Sequence, residues 1–398
     1  MANPRIRYIE AHPFQQEGKE MILLRDAEGV AENSLVVSRD VVFLISLMDG
    51  TRSLRDIQAE YMRTVGQLVY IEHIEQLVNA MDQHHLLFND NYEIYVKGLK
   101  DEYEKSPVRR AYLAGKSYHA NRMDLLVFLD EMFKPGREAP ERSVAGILAP
   151  HIDYQRGADV YRETYLYLRK TDKPLLVILG TCHHPTNRIW SISLKDFSTP
   201  LDVVPNSAEL GDLIKSNALL KCYIEEWPHR NEHSIELQLP LIQFMLQDGF
   251  EILPILTGSM HEYVNGHKDI ENDGELTDIV ESFKAILAQW GKPYVIISAA
   301  DLAHIGTQFG DSYALDTLTL GQSEAKDKEV LKYVASVDAE GFFNAIRQEG
   351  DRRRICGLTP IYFQLKLLEG STCQMVSYKQ WTDGKSSVSF AGGIFYER

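Results

Sequence analysis

The sequence predicts an α/β protein whose largely parallel or mixed central sheet is flanked by helices, with a small winged-helix domain in front. Two patterns favour this fold. Beyond residue 110, short apolar runs alternate with helical patterns, as in Val144–Leu148 followed by Val160–Leu168. Such alternation is typical of buried parallel strands covered by helices. The first hundred residues instead contain three short helical patterns in succession.

In the first hundred residues, polar caps and apolar stripes predict the three helices. Ser38 and Ser53 are suitable N-caps for the first two, and Gly50 is a natural left-handed stop between them. The third helix is predicted over Tyr70–Met81, where apolar residues fall on one stripe. The segment Leu86–Tyr95 contains two apolar runs around a polar turn, which predicts a β-hairpin. Three helices followed by a hairpin predict a winged helix.

This region resembles the PqqD-like winged-helix domain over residues 20–95. The resemblance lies in the Asp49-Gly50-Thr51 turn, the helix with Leu54 and Ile57, and the third helix ending in His84-His85-Leu86-Leu87-Phe88. It implies a module that binds a peptide as an added strand, often in the service of a radical-SAM enzyme. A plain structural or regulatory domain is the alternative. DNA binding is disfavoured, because the third helix carries Glu72 and Glu75 and almost no basic residues.

Composition and charge limit the class of protein. We expect a PqqD-like domain over residues 1–99, a charge-rich linker over 100–110 and the α/β domain over 111–398. A net charge of −15 argues against nucleic-acid or anionic-membrane partners. No apolar run approaches the roughly 20 residues that span a bilayer. The four cysteines are scattered with no CxxC pair, which predicts a reduced, cytoplasmic setting.

Polar residues follow three predicted strands of the larger region, at the point where each strand ends. The strands are Gly146–Ala149, Leu175–Gly180 and Tyr294–Ser298. The residues that follow them are His151, then His183 and His184, then Asp301 and His304. In open α/β sheets, ligands bind beyond the carboxyl ends of the strands. A lone histidine there is more often structural, but three such ends together predict one shared site.

Two further elements contribute candidate residues. Glu232 suits the dipole at the start of an amphipathic helix that presents His233, Glu236 and Pro240 on roughly one face. A surface helix start is the alternative. Cys356 precedes an apolar helix and follows three arginines, an environment in which the dipole and nearby cations favour a thiolate. A small buried filler is the alternative for this cysteine.

Taken together, these motifs resemble the Memo family. The motifs are Ala114-Gly115-Lys116-Ser117-Tyr118, Ala149-Pro150-His151, Leu179-Gly180-Thr181-Cys182-His183-His184, Glu232-His233-Ser234-Ile235-Glu236, Asp301-Leu302-Ala303-His304 and Cys356-Gly357. They occur in the family's order and spacing and cover roughly residues 108–398. The resemblance implies a fold like that of class III non-haem iron dioxygenases, the extradiol enzymes. Those enzymes hold Fe(II) with two histidines and a carboxylate.

The resemblance also assigns roles to residues. His151 and His183 become the imidazole ligands, and Cys356 takes the place of the carboxylate. From the residues alone, His183 and His184 are equivalent candidates. The catalytic candidates are His304 as the acid/base, Asp301 as its orienting or solvent-contacting group, and His233 on the opposite wall. The remaining pocket candidates are His184, Asp153, Tyr118 and Glu236, with Asp153 as a partner that supports His151 from outside the ligand set.

This chain departs from the family pattern in the residues around the ligands. Ile152-Asp153-Tyr154 stands where many members have Ala-Gly-Tyr, and Ala299-Ala300 stands where two serines are frequent. The ligands are retained while the polarity around them changes, so the substrate does not follow from the resemblance.

Two hypotheses for function follow. Two imidazoles and a thiolate suit Fe(II), with zinc and copper as alternatives. The first hypothesis is a non-haem metal-dependent redox enzyme, an oxygenase or oxidase acting on a small or peptidic substrate. The second is a non-catalytic module that binds a peptide or small ligand and serves a radical-SAM partner, as implied by the naming of microbial Memo proteins as part of such a system. A zinc scaffold is disfavoured, because structural zinc requires four protein ligands.

Overall fold

The computed structural model describes residues 3–31, 33–134, 143–170, 175–184, 186–247, 249–270 and 272–397. They form two compact units, Met1–Ser106 and Pro107–Arg398. The first unit contains strands β1 (Ile9–Gln16), β2 (Lys19–Asp26) and β3 (Leu35–Ser38), and helices α1 (Val42–Ser46), α2 (Leu54–Val65), α3 (Ile71–Gln83) and α4 (Asp90–Lys105).

The second unit contains the larger sheet and most of the helices. Its strands are β4 (Val108–Arg109), β5 (Val144–Ala149), β6 (Leu175–Thr181), β7 (Trp190–Ile192), β8 (Asp196–Ser198), β9 (Val203–Val204), β10 (Glu251–Thr257), β11 (Tyr294–Ala299), β12 (Asp301–Gly306), β13 (Thr372–Thr382) and β14 (Ser386–Tyr396). Its helices are α5 (Arg122–Phe133), α6 (Tyr154–Tyr165), α7 (Ala208–Ser216), α8 (His233–Glu236), α9 (Leu239–Leu246), α10 (His261–Val264), α11 (Gly274–Trp290), α12 (Thr317–Ala335), α13 (Ala339–Gln348) and α14 (Leu358–Leu367).

The first unit is an antiparallel sheet in the order β1-β2-β3, followed by its helices. Ser53 caps α2 as expected, within a full capping box with Asp56. Gly50 adopts φ +85°, the left-handed conformation predicted for the stop after the first helix. Ile57, Ile74 and other apolar residues of the helices pack with the inner face of the sheet into one core.

The hairpin predicted over Leu86–Tyr95 is wrong, because residues from Asp90 onward form α4. Asn89 caps this helix by accepting a hydrogen bond from the backbone N–H of Tyr92 at 3.0 Å. Leu87 instead makes an antiparallel bridge with Ile6 near the start of the chain. The sheet of this unit therefore precedes its helices, and residues 100–105 of the expected linker are helical.

The second unit is built on an eight-stranded mixed sheet, which confirms the predicted α/β class. The order β14-β5-β11-β6-β10-β7 contains four neighbouring parallel strands, β5, β11, β6 and β10, with antiparallel strands at both sides. β12 and β13 pair antiparallel with β14. A short three-stranded sheet, β4-β8-β9, lies apart from it. The sequence pattern missed β12, which begins directly after β11.

Apolar residues cover both faces of this sheet. Along β6, Leu176 and Ile178 face a core shared with α5, α6 and α9, whereas Val177 and Leu179 face a core shared with α11, α13 and α14. This alternation is the expected two-residue period of a strand buried on both faces. Among the described residues, no helix combines the length and the apolar character that a membrane crossing requires.

The amphipathic helix predicted from Glu232 onward is interrupted. Residues His233–Glu236 form the single turn α8, and a new helix, α9, starts at Leu239 with Pro240 near its beginning. Proline lacks an N–H and clashes with the carbonyl four residues earlier, so it cannot continue the first turn. The break explains why His233, Glu236 and Pro240 do not form one helical face.

Candidate metal centre

The carboxyl ends of three parallel strands lie side by side in the sheet. Ala299 of β11 is in register with Ala149 of β5 on one side and with Gly180 of β6 on the other. The residues that follow these ends therefore start from one edge of the sheet, as the sequence predicts. His151 and His183 meet there, with ring centroids 5.0 Å apart and planes nearly perpendicular.

Two glycines allow other segments to approach this edge. A side chain at Gly180 would lie 2.6 Å from Ser234 Oγ, so glycine lets the α8 turn pack directly against β6. A side chain at Gly357 would lie 2.4 Å from the carbonyl oxygen of Asp301. Glycine there brings Cys356 against the start of β12. The Thr181 hydroxyl also donates to the Cys356 carbonyl at 3.0 Å, which ties this segment to β6.

His151 is held with one ring nitrogen free. Its Nδ1 lies 2.9 Å from the Ala299 carbonyl oxygen. A carbonyl only accepts, so Nδ1 carries the proton and Nε2 keeps its lone pair. Burial, together with His183 and His233, lowers the pKa of His151 well below its usual value, so the ring is neutral. The unprotonated Nε2 lies 3.3 Å from the sulfur of Cys356, at hydrogen-bond distance from its thiol.

Cys356 lies in a drier environment than the sequence suggests. Burial, followed by the Asp301 carboxylate, raises the pKa of its thiol well above the usual range. The expected stabilisation of a thiolate by nearby arginines is therefore wrong. Arg353 forms ion pairs with Asp327 and Glu349, and Arg354 forms one with Asp311. The positive charges of these two arginines are therefore paired with carboxylates rather than with the Cys356 sulfur.

His183 and His233 share one carboxylate. The Nδ1 atoms of both rings lie close to Oε1 of Glu232, at 2.9 Å and 3.1 Å respectively. The two rings stack with centroids 4.3 Å apart. Burial raises the pKa of Glu232, but the neighbouring histidines outweigh it and hold that pKa well below its usual value. Burial lowers the pKa of His233, but Glu232 outweighs it and raises that pKa.

Asp301 and His304 lie on β12 beside these groups. The backbone N–H of His151 donates to Asp301 at 2.9 Å, and burial raises the pKa of this carboxyl to about 7. His304 Nδ1 lies 3.0 Å from the Leu302 carbonyl oxygen, and its ring packs edge-on against Phe309. Burial lowers the pKa of His304 to about 4, with a further contribution from His183. His304 is thus neutral near pH 7, with Nε2 able to accept a proton.

The other predicted pocket residues have different surroundings. Asp153 caps α6 and pairs with Arg156, so the Ala299 carbonyl, rather than Asp153, is the partner of His151. Glu236 is fully buried and bonds to Arg109 and to the Tyr118 hydroxyl. Tyr118 and Glu236 therefore support the chain behind the histidines. The backbone carbonyl of His184 lies 3.4 Å from the sulfur of Cys182.

A ligand set for a metal emerges from these positions. Within the described part of the chain, His151, His183 and Cys356 each offer a ligand atom, and these atoms lie within 4.8 Å of one another. His183, Glu232 and His233 meet the same condition, whereas His184 lies outside both groups. Imidazole nitrogens and a sulfur at this spacing fit a transition-metal ion. Glu232 is the residue that the sequence pattern missed, since it was considered only for its effect on the helix dipole.

Comparison with known proteins assigns the second unit to a family. The Memo-like protein family model matches residues 109–394. A MEMO1 family protein from Aquifex aeolicus is 26% identical over 398 residues, covering 99% of this chain and 100% of that protein. MEMO1 family proteins from Thermus thermophilus and Methanosarcina mazei are 28% and 27% identical, over 74% and 68% of this chain and 83% and 91% of their own lengths. The chain belongs to the Memo family.

Proposed function

We propose that the second unit binds one divalent transition-metal ion through His151, His183 and Cys356 and uses it in redox chemistry. The observation that carries this proposal is the convergence of three ligand atoms within 4.8 Å of one another. Hydrogen bonds at Nδ1 of both histidines leave Nε2 as the atom with a free lone pair. Ring orientation by such partners is the usual arrangement at metal-binding histidines.

The donor set favours a redox-active ion over a structural one. Two imidazoles and a thiolate are borderline-soft ligands, for which we propose Fe(II), with zinc and copper as alternatives. A structural zinc site would use four protein ligands in a closed tetrahedron. Three protein ligands leave coordination positions for a substrate, and a bound redox-active ion would supply the electron-transfer chemistry.

The chain's own residues supply the proton-handling groups. His304 is neutral near pH 7, because burial lowers its pKa to about 4, and its Nε2 can accept a proton. Asp301, whose pKa burial raises to about 7, can hold or release a proton beside His151. His233 lies against His183 and adds a third imidazole to the wall of the site. We propose these three residues as the catalytic set.

Other expectations about partners and setting stay predictions. They include the likeness to class III dioxygenases, a small-molecule or peptide substrate, and a cytoplasmic location. The likeness of the first unit to PqqD-like domains, with its peptide and radical-SAM partners, also stays a prediction.

Metal content tests the proposed site. We would purify the wild-type chain and the variants His151→Ala and Cys356→Ala without oxygen and measure metal by mass spectrometry. Cys373→Ala is the matched control, because Cys373 is also partly buried but lies on β13. We expect about one ion per chain in the wild type and the control, and a loss of more than about tenfold in occupancy in the two ligand variants.

Full occupancy in both ligand variants would overturn the assignment of the site. Oxygen consumption by the metal-loaded protein with phenols or thiols then separates an enzyme from a binding module. Turnover that depends on Cys356 supports the redox proposal. Tight peptide binding without turnover would favour the non-catalytic alternative.

A further inference from the structure

We propose that Glu232 is the positioning residue of this site, fixing His183 and His233 in one tautomer and one orientation. The inference rests on the proposed metal site and adds a residue to it. Glu232 does not belong to the proposed ligand set of His151, His183 and Cys356. The hydrogen bonds, the burial and the charge of Glu232 support this role.

The carboxylate of Glu232 accepts hydrogen bonds from four N–H groups and lies close to a fifth. Oε1 accepts from Nδ1 of His183 at 2.9 Å and lies 3.1 Å from Nδ1 of His233. It also receives the backbone N–H groups of His233 at 2.8 Å and Ser234 at 3.1 Å. Oε2 receives the backbone N–H of His183 at 2.7 Å. The side chain is 1% exposed, so water does not replace these donors.

This arrangement determines which nitrogen of each ring is free. An ionised carboxylate can only accept, so Nδ1 of His183 and Nδ1 of His233 both carry a hydrogen. Whenever either ring is in its neutral form, the lone pair is therefore on Nε2. Because one oxygen binds both rings, it also holds them stacked, with centroids 4.3 Å apart. One side chain therefore orients the ligand His183 and the neighbouring imidazole together.

The charge of Glu232 has a second effect on the rings. A carboxylate hydrogen-bonded to Nδ1 increases the electron density at Nε2, which makes the imidazole a stronger ligand. His151 lacks such a partner, because its Nδ1 bonds to the neutral carbonyl of Ala299. Glu232 thus strengthens the histidine from β6, where the ring is one-third exposed and less constrained by packing.

An amide at this position cannot reproduce these contacts. In Glu232→Gln, an NH2 group replaces one of the two oxygens. At the Oε2 position it would face the backbone N–H of His183, and at the Oε1 position it would face four N–H groups. Either orientation places donor against donor. Glu232→Asp keeps the charge but shortens the reach, so it should restore part of the function.

The experiment measures Co(II) affinity of the full-length chain by competition with a chelator. We expect Glu232→Gln to weaken affinity about 10- to 100-fold, and Glu232→Asp to lose less. The thiolate-to-cobalt absorption band should remain in saturated Glu232→Gln, because Cys356 is unchanged. Glu226→Gln is the control: Glu226 is a partly buried carboxylate that accepts instead from the Ser193 hydroxyl and the Leu194 backbone N–H.

A second readout needs no metal. Nitrogen-15 NMR of histidine-labelled protein reports the tautomer of each ring. In the wild type, His183 and His233 should show a protonated Nδ1, and in Glu232→Gln, which has no charge to hold these protons, this preference should weaken. Glu232→Asp provides the same comparison if Glu232→Gln fails to fold.

The possible failures are distinguishable. Absence of Co(II) binding by the wild-type chain would overturn the proposed metal site, and with it this role of Glu232. Wild-type binding that requires Cys356, together with equal affinity and unchanged tautomers in Glu232→Gln, would overturn the positioning role alone. An equal loss of affinity in Glu226→Gln would show a general effect of removing buried charge and would also overturn it.

Discussion

The two walls of the candidate site hold their histidines by different means. The buried wall consists of His151, Asp301 and Cys356, and the side chains of its histidine and aspartate are each 3% exposed. The carboxylate wall consists of His183, Glu232 and His233, whose histidine side chains are 34% and 37% exposed. In the buried wall a backbone carbonyl holds Nδ1, whereas in the carboxylate wall a side chain does so.

The difference shows that one tautomer can be imposed in two ways, with different consequences for binding. A backbone carbonyl of β11 is part of the sheet, so the orientation of His151 follows from the fold itself. Glu232 brings a negative charge as well as an acceptor, which suits the more exposed wall. If the two walls differ in this way, metal binding should depend unequally on the charge, the proton release and the side-chain identity of each wall.

The largest effect is expected from replacing His183 of the carboxylate wall by alanine, compared with the same change at its sequence neighbour His184. His183→Ala removes a proposed ligand and should weaken Co(II) or zinc binding by more than about 100-fold, since an outer partner alone contributes 10- to 100-fold. His184→Ala should lose less than about tenfold, because His184 lies outside the ligand groups found among the described residues. The measurement is a chelator competition on both variants. The reverse order would assign the ligand to His184.

The next effect concerns proton release from the buried wall. Burial raises the pKa of the Cys356 thiol, so the thiol is protonated at neutral pH and metal binding must displace its proton. Affinity should therefore rise with pH, by about tenfold per unit, until pH reaches the thiol pKa. The range above about pH 7.5 is informative, because ordinary histidines are already neutral there.

Calorimetry in buffers of different ionisation enthalpy would count the protons released on binding. One proton per ion is expected for the wild-type chain, and none from the thiol for Cys356→Ser. Binding without proton release in the wild type would show that the sulfur does not coordinate or is already ionised.

That the candidate residues come together could be predicted because a topological rule places them at one edge of the sheet. Parallel strands present their carboxyl ends at one edge, so His151, His183 and Asp301 had to meet once β5, β6 and β11 were recognised as strands. The register of Ala149, Gly180 and Ala299 is consistent with that reasoning. Nothing in this step depends on details of side-chain packing.

The partners of these residues could not be predicted in the same way. The roles of Glu232 and the Ala299 carbonyl depend on the side to which each ring turns, which is set by three-dimensional contacts. The burial that raises the pKa of Cys356 likewise depends on segments that come together only in the folded chain.

In the first unit, too, contacts between residues that are distant in sequence could not be predicted. The pattern over Leu86–Tyr95 suited a hairpin, but Leu87 finds its partner at Ile6, about eighty residues earlier, and the following segment becomes α4. The local cap at Ser53 was predicted correctly, since the residues that make it are close in sequence, whereas Ser38 makes no side-chain cap hydrogen bond. The pairing of Leu87 with the distant Ile6 left no comparable signal in the local sequence.

The smallest effect is expected for Asp301→Asn, which compares the carboxylates of the two walls. Asparagine keeps an oxygen for the backbone N–H of His151, and burial, which raises the pKa of Asp301 to about 7, leaves this carboxyl about half protonated at neutral pH. Little charge is therefore removed, and Co(II) affinity should fall by less than about tenfold, against 10- to 100-fold for Glu232→Gln. Chelator competition on both variants, with thermal unfolding as the control for folding, gives the comparison. A loss in Asp301→Asn equal to that in Glu232→Gln would mean that the buried wall also depends on a full negative charge, and the distinction between the two walls would fail.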